Sequence, residues 1–302
     1  MPELPEVETI ARGLHGRVTG DTIESVWLGS KSEPLKSPAA EIVATLESRR
    51  IAGVRRVGKH IVFDLESTNV GRAPSLAKGR NRPRSAPSRK KPAGKSARPT
   101  QTNTPAAQWI VHLGMTGRLL VCQPDAEIAK HTHAVVKLTS GRELRFVDPR
   151  RFGRLSVAHG FEAAGSEPLK VELDQFVSLF RGRKTPIKSA LLNQKLLSGV
   201  GNIYADEALF RAGIRPRRRA ASLTREDMGR LYQAVQEVLR EAISLGGSSV
   251  SDYVDADGEE GFFQLQHRVY GREGEPCLVC KTAIKRVVIA GRSSHYCPKC
   301  QK

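Results

Sequence analysis

No run of 18 or more apolar residues occurs anywhere in the 302 positions, so no membrane-crossing helix is expected. The first ten residues, MPELPEVETI, carry three acids and lack the apolar segment of a signal peptide, so secretion is not expected. Cysteine is scarce: there are five, and four of them fall between positions 277 and 300. That distribution argues against a disulfide framework and for a reducing compartment, so the chain reads as cytoplasmic. Acidic residues are outnumbered, 31 against 49 Lys and Arg, which leaves a formal charge of +18. A surface this basic favours polyanions and says nothing about fold. No internal repeat is visible, and the length leaves room for two domains with separate cores.

What is present changes character once along the chain. TIESVWLG, ATLESRRIAGVRRVG, KHIVFDLE, QWIVHLGMTGRLLVC, THAVVKLTSG and RELRFVDP read as strands up to about position 147, and short strands with turn signals suggest a β-sandwich. From about position 165 the period becomes helical: LDQFVSLFRG, TPIKSALLNQKLLSG, NIYADEALFRAG and REDMGRLYQAVQEVLREAISLGG predict four helices punctuated by Gly or Pro. The last 60 residues are short-spanned, glycine-rich and cysteine-bearing. The class expected is α+β.

The N-terminal stretch carries the most chemistry. A small residue after Met1 is the usual signal for removing the initiator, so the mature chain is expected to start at Pro2. Its secondary α-amine would titrate near about 8, well below a lysine, and could attack a sugar C1′ to form an iminium. Glu3 is its neighbour and Glu6 lies one helical turn on. Val7, Ile10, Ala11 and Leu14 recur at helical spacing, so an amphipathic helix is predicted to start at Pro5. Taken alone, the same residues are also ordinary capping chemistry.

Cys277-x2-Cys280-x16-Cys297-x2-Cys300 is the strongest motif. Each CxxC puts two thiolates on one tight turn, and two such turns complete a tetrahedral zinc site with no open position, so one structural Zn2+ is expected. Between the pairs, IKRVVIAGRSSHYC predicts a β-hairpin with Arg292 at its turn. Cys122 is expected to be a buried small hydrophobe.

MPELPEVET resembles the N-terminus of the bacterial formamidopyrimidine-DNA glycosylases, enzymes that remove oxidised purines. RRVGKHIVFDL, VHLGMTG, DPRRFG, KTPIKSALLNQKLLSGVGNIYADEALFRAGI and the cysteine pairs follow in the family's order, so the resemblance covers nearly the whole chain. It implies a catalytic β-sandwich domain over 1–155, a helix–two-turns–helix domain with a lesion-capping loop over 165–265, and a zinc finger over 268–302. It implies Pro2 as nucleophile, Glu3 in proton transfer, and Lys59 reaching the damaged base and a nearby phosphate. Glu6 would stand in the active site. His112 and His131 would line the DNA path, while Arg151, Lys188, Asn202 and Arg292 would hold phosphates. An enzyme that flips a nucleotide leaves a void in the duplex. Met115, Arg150 and Phe152 match the residues that fill it, the arginine facing the orphaned base. The activity implied is excision of 8-oxoguanine and formamidopyrimidines from double-stranded DNA followed by β,δ-elimination, by a nucleoid-associated monomer. Asp206 and Glu207 read as ordinary helix residues. Two alternatives stand beside this: the sister family that prefers oxidised pyrimidines, and a zinc-finger DNA binder without chemistry. ELPEVE and DPRRFG argue against the first, and a proline beside Glu3 against the second.

Two features depart from the family. Ser251 stands in the capping loop where several relatives carry a basic residue. Residues 71–105 contain ten Lys or Arg, no acid, six Pro and one Leu, a composition that cannot bury enough apolar area to order itself. A disordered loop is predicted there, supplying +10 of the +18. Deleting it should leave single-turnover excision intact, because loop closure entropy grows slowly with length. It should flatten the dependence of log K on log salt for undamaged duplex, the slope shrinking by about 0.9 for each phosphate that is no longer neutralised. Identical slopes for the full-length and deleted proteins would leave a surface insertion that does not touch DNA.

Overall fold

The computed structural model describes residues 1–67, 107–249 and 253–302. The basic insert at 71–105 and Ser251 lie outside them.

Helix α1 spans Leu4–Val18, with Glu3 at its N-cap and Pro5 in its first turn. Strand β1 (Ile23–Leu28) and helix α2 (Ala39–Leu46) follow. Strands β2 (Arg49–Val57), β3 (His60–Ser67), β4 (Ala107–His112), β5 (Arg118–Cys122), β6 (Thr132–Leu138), β7 (Glu143–Val147) and β8 (Arg154–Ala158) complete the N-terminal half. They form two four-stranded antiparallel sheets, ordered β1-β6-β7-β5 and β2-β3-β4-β8. One apolar core joins Phe63, Trp109 and Leu155 of one sheet to Leu138, Leu144 and Phe146 of the other. The predicted sandwich is therefore present. Val7, Ile10, Ala11, Leu14 and Val18 push the apolar face of α1 into the same core. The Val, Ile and Leu side chains among them each contribute about 1.5–3 kcal/mol on burial.

Two elements of this half differ from expectation. Residues 39–46, partly expected as strand, are helix α2, and RLSVA, beyond the expected end of the strands, is β8 at the edge beside β4. Both are short, and five to eight residues are too few for periodicity to speak clearly. Cys122 closes β5 and is half-buried rather than buried.

The helical half contains α3 (Leu173–Phe180), α4 (Ile187–Leu191), α5 (Asn202–Arg211) and α6 (Arg225–Ser244). The segment expected as one helix over TPIKSALLNQKLLSG is helical only in α4; Gly199 then adopts a left-handed φ of 94°. A second core includes Phe176, Phe180, Leu209, Leu231 and Val238, and also Leu4 from the first turn of α1. Strands β9 (Lys285–Ile289) and β10 (Arg292–Tyr296) form the predicted hairpin. Its two-residue turn, Ala290-Gly291, has φ of 46° and 75°, the left-handed pair that a tight hairpin turn uses. Among the described residues no helix is long and apolar enough to cross a membrane.

Candidate active site and DNA cleft

The start of α1 is held from three sides. The backbone N–H of Leu4 donates to Gly199 O at 3.0 Å, and that of Glu3 donates to Glu6 Oε2 at 2.7 Å. Glu3 Oε1 accepts from the Ile203 N–H, in the first turn of α5, at 3.3 Å. A Cβ on Gly201 would stand 2.0 Å from the Glu3 carboxyl carbon, so glycine is required there for the carboxylate to reach its seat. Glu6 Oε1 accepts from the Tyr204 hydroxyl and from Ser248 N–H, at 2.8 Å for the latter. Tyr204 and Ser248 thus support the site without having been singled out from sequence.

Lys59 arrives on the two-residue turn between β2 and β3, where Gly58 has φ 60° and Val57 pairs with His60. Arg56 secures that turn. Its side chain is 6% exposed, donates to Gly58 O at 3.2 Å, and bridges Glu8 of α1 and Glu167 at the entry to the helical half, both at 2.7 Å. Glu3, Lys59, Met115, Asn202, Tyr270 and Arg292 line a cleft of about 520 Å3 between the two halves. Pro2 and Glu6 line an adjoining hollow of about 30 Å3, with Met115 and Ser248. Met1 lines both.

The electrostatics suit proton transfer. Burial pushes the Glu3 carboxyl up to about 7; the Lys59 ammonium opposes this and Glu6 adds to it. Burial lowers Lys59, while Glu3 and Glu6 hold it up and Arg292 pushes it further down. Glu6 is raised, chiefly by burial, with the Tyr204 hydroxyl opposing. Glu3 Oε2 is buried and has no hydrogen-bond partner among the described residues.

Met115 and Phe152 stand at turn tips, 44% and 48% exposed. The two turns touch through backbone: a Cβ on Gly114 would lie 2.5 Å from Gly153 N and Phe152 C. Asp148, fully buried, fastens them by accepting from Thr116 Oγ1 at 2.6 Å and from the N–H groups of Arg150 and Gly153 at 3.2 and 2.8 Å. The Arg150 guanidinium sits 4.8 Å from the Phe152 ring centroid.

Other expected site residues are placed elsewhere. His112 lines a neighbouring hollow with Phe152, Lys36 and Arg154. Its Nδ1 accepts from Gly114 N–H at 2.9 Å, and burial drops its pKa to about 4, so the ring is neutral at physiological pH. His131 is exposed, at φ 72°, and does not line the cleft. Arg151 is exposed, 3.9 Å from Glu33.

Lys188 requires correction as a phosphate ligand. It is 1% exposed, its ammonium pairs with Asp206 at 2.7 Å and donates to Ser293 O at 2.6 Å. Asp206 and Glu207 are likewise not ordinary helix residues. Both are buried, and Glu207 accepts from the N–H groups of Arg268, Val269 and Tyr270. Glu207 thereby fixes the segment that brings Tyr270 to the cleft.

In the finger, the Sγ atoms of Cys277, Cys280, Cys297 and Cys300 all lie within 4.8 Å of one another. The Cys277–Cys300 and Cys280–Cys297 separations are 3.9 and 3.4 Å. A tetrahedron with Zn–S of about 2.3 Å has edges of about 3.8 Å, so the donor set fits one zinc and leaves no position for substrate.

The comparisons agree from end to end. Residues 1–155 match the formamidopyrimidine-DNA glycosylase N-terminal domain, 164–254 the H2TH domain of the same enzymes, and 274–302 the zinc finger found in FPG and IleRS. A formamidopyrimidine-DNA glycosylase of Solibacter usitatus is 42% identical, with both chains covered in full. The crystal structure of the MutM (Fpg) protein of Thermus thermophilus superposes with a TM-score of 0.77 at 39% identity, covering 99% of this chain and 98% of that one. A Lactococcus lactis Fpg complexed with Fapy-dG-containing DNA does so with 0.78 at 28% identity, covering 99% and 100%. With three domain matches in order on a single fold, and full-length relatives well above the level of chance likeness, the chain belongs to the formamidopyrimidine-DNA glycosylase family.

Proposed function

We propose that the protein excises oxidised purines from double-stranded DNA and then cuts the strand at the abasic site, with Pro2 as nucleophile. The observation that carries this reading is the buried Glu3 carboxyl, poised at about 7 beside Lys59 at the edge of a cleft that Met1 also lines. A pure DNA binder has no use for a carboxyl held at its titration point.

Loss of Met1 frees the Pro2 amine. That amine attacks C1′ of the flipped nucleotide, and the base leaves with the electrons of the glycosidic bond. Glu3 moves the proton that opening of the sugar requires, and a pKa near the working pH lets it give and take. The iminium acidifies the sugar C2′ hydrogen, so β-elimination and then δ-elimination release the phosphates on either side. Lys59 and Arg292 supply positive charge at the cleft. Asn202, in the first turn of α5, offers its amide where helix N–H groups favour an anion, and Tyr270 adds a phenol. Met115, Phe152 and Arg150 stand at the rim to occupy the vacated stack. Zinc, held by the four cysteines, shapes the finger that carries Arg292. Action as a monomer is part of this proposal. Formal charge +18 and a DNA substrate support work at the bacterial nucleoid.

Borohydride reduction during reaction with an 8-oxoguanine:cytosine duplex tests this reading. A protein–DNA adduct should form, and the modified peptide should begin at Pro2. An adduct on a lysine would overturn the assignment, as would failure to trap with the fold intact.

A further inference from the structure

The cluster around Asp206 is absorbed neither by the chemistry nor by the zinc site. Asp206 is buried, yet it is ionically paired with Lys188 through Oδ1, and its Oδ2 accepts from the His295 N–H at 2.8 Å and lies 3.3 Å from that residue's Nδ1. Lys188 donates to Ser293 O at 2.6 Å. Asn202 Nδ2 donates to Ser293 Oγ at 3.3 Å. The Tyr270 ring meets the His295 ring edge-on at 5.1 Å.

These contacts have a simple register. Asn202 and Asp206 are four apart on α5 and share a face, spaced about 6 Å along the helix. Ser293 and His295 are two apart on β10 and share a face, spaced about 6.6 Å. The periods mesh, so α5 grips alternate residues of β10, with Lys188 of α4 inserted between. The residue just before the gripped pair is Arg292, whose side chain lines the cleft. Cys277, Ile284 and Cys297 of the finger form a small core with Val269 and with Phe210 of α5, and the finger carries its own metal donors. The thiolates that would bind zinc are therefore distinct from the polar groups that grip β10.

We propose that Asp206 is a positioning residue: with Lys188 and His295 it forms a buried polar seam that sets where Arg292 stands in the DNA cleft. This rests on the reading of Arg292 as a phosphate contact. Removing the charge of Asp206 strands a buried ammonium and loosens the strand that carries Arg292, so the effect on DNA should pass through that arginine.

A double-mutant cycle tests this on the zinc-loaded full chain, with a duplex carrying an abasic-site analogue and zinc measured on each variant. Arg292→Ala and Asp206→Asn should each weaken binding about tenfold, within the range for residues of one network, and the double variant should bind no more weakly than Arg292→Ala alone. All should retain one zinc. Additive losses, or no loss with Asp206→Asn, would overturn the proposal. Wild-type binding by Arg292→Ala alone would instead show that the reading of Arg292 fails, and the seam would have nothing to aim. Lys188→Met with Asp206→Leu replaces the pair by apolar groups and should keep fold and zinc while showing the same Arg292-dependent loss. Zinc loss in both Asp206 variants would mean that the seam folds the finger rather than aims it, and would overturn the proposal too.

Discussion

Glu3→Gln is expected to lower base excision by about 10²- to 10⁴-fold, the range for loss of a positioned proton-transfer group. Affinity for lesion duplex should stay near wild type, because the amide keeps the shape of the carboxyl. Single-turnover excision and equilibrium binding, measured side by side, check this; equal losses in both would mean that Glu3 serves binding. The same substitution should stabilise the protein at alkaline pH. Burial raises the folded-state pKa of Glu3 to about 7 from an ordinary 4.5. Between those values the native chain keeps a proton that the unfolded chain has released, so stability falls as pH rises through that window. Below it the penalty vanishes; above about 7 it is complete, on the order of 3 kcal/mol at 1.36 kcal/mol per unit. The variant should therefore melt above wild type at pH 8 and together with it at pH 4.5. Equal melting at both values would show that the carboxyl titrates normally.

Cys297→Ser should release the metal and unfold the finger. Cys297 is fully buried, belongs to the finger's small core, and supplies one of four donors. Binding of structural zinc in such fingers is worth about 10–16 kcal/mol, and most of the local folding energy goes with it. The sandwich and helical cores do not include the finger, so far-ultraviolet circular dichroism should change little. Binding to lesion duplex should fall by more than with Arg292→Ala, since Arg292 and the whole hairpin are displaced together. A zinc-free variant that binds as wild type would remove the finger from the clamp on DNA.

What could be read from the chain depended on how local its cause was. The start of α1, the hairpin of β9 and β10 and the zinc donors each rest on residues a few positions apart, and their spacing is visible. Met115 and Phe152 were legible as turn-tip residues because each lies beside glycine. The fastener between those turns, Asp148, was not, since its partners span Thr116 to Gly153. Lys188 illustrates the limit. A lysine in a helix looks solvated, and its burial comes from Asp206 on α5 and from a strand 105 positions later. Asp206 and Glu207 are hidden in the same way by residues 295 and 268–270. Helix α2 and strand β8 escape a reading by pattern because a helix of two turns and a five-residue edge strand leave too short a period to detect.

Helix α1 belongs to two cores: Val7, Ile10, Ala11, Leu14 and Val18 join the sandwich core, while Leu4 joins the helical core. The end that carries Pro2 and Glu3 is the first part of the protein to be synthesised, while Ile203 and Ser248, which help seat it, lie 200 and 242 residues beyond their partners Glu3 and Glu6. While the chain grows on the ribosome, Leu4 has no pocket, Glu3 lacks the Ile203 N–H and Glu6 lacks Ser248. The proposed nucleophile, Pro2, therefore has no complete seat until Ser248 has been made. A truncated product of interrupted translation would then be unable to cut the chromosome, a useful property in an enzyme whose chemistry breaks DNA strands.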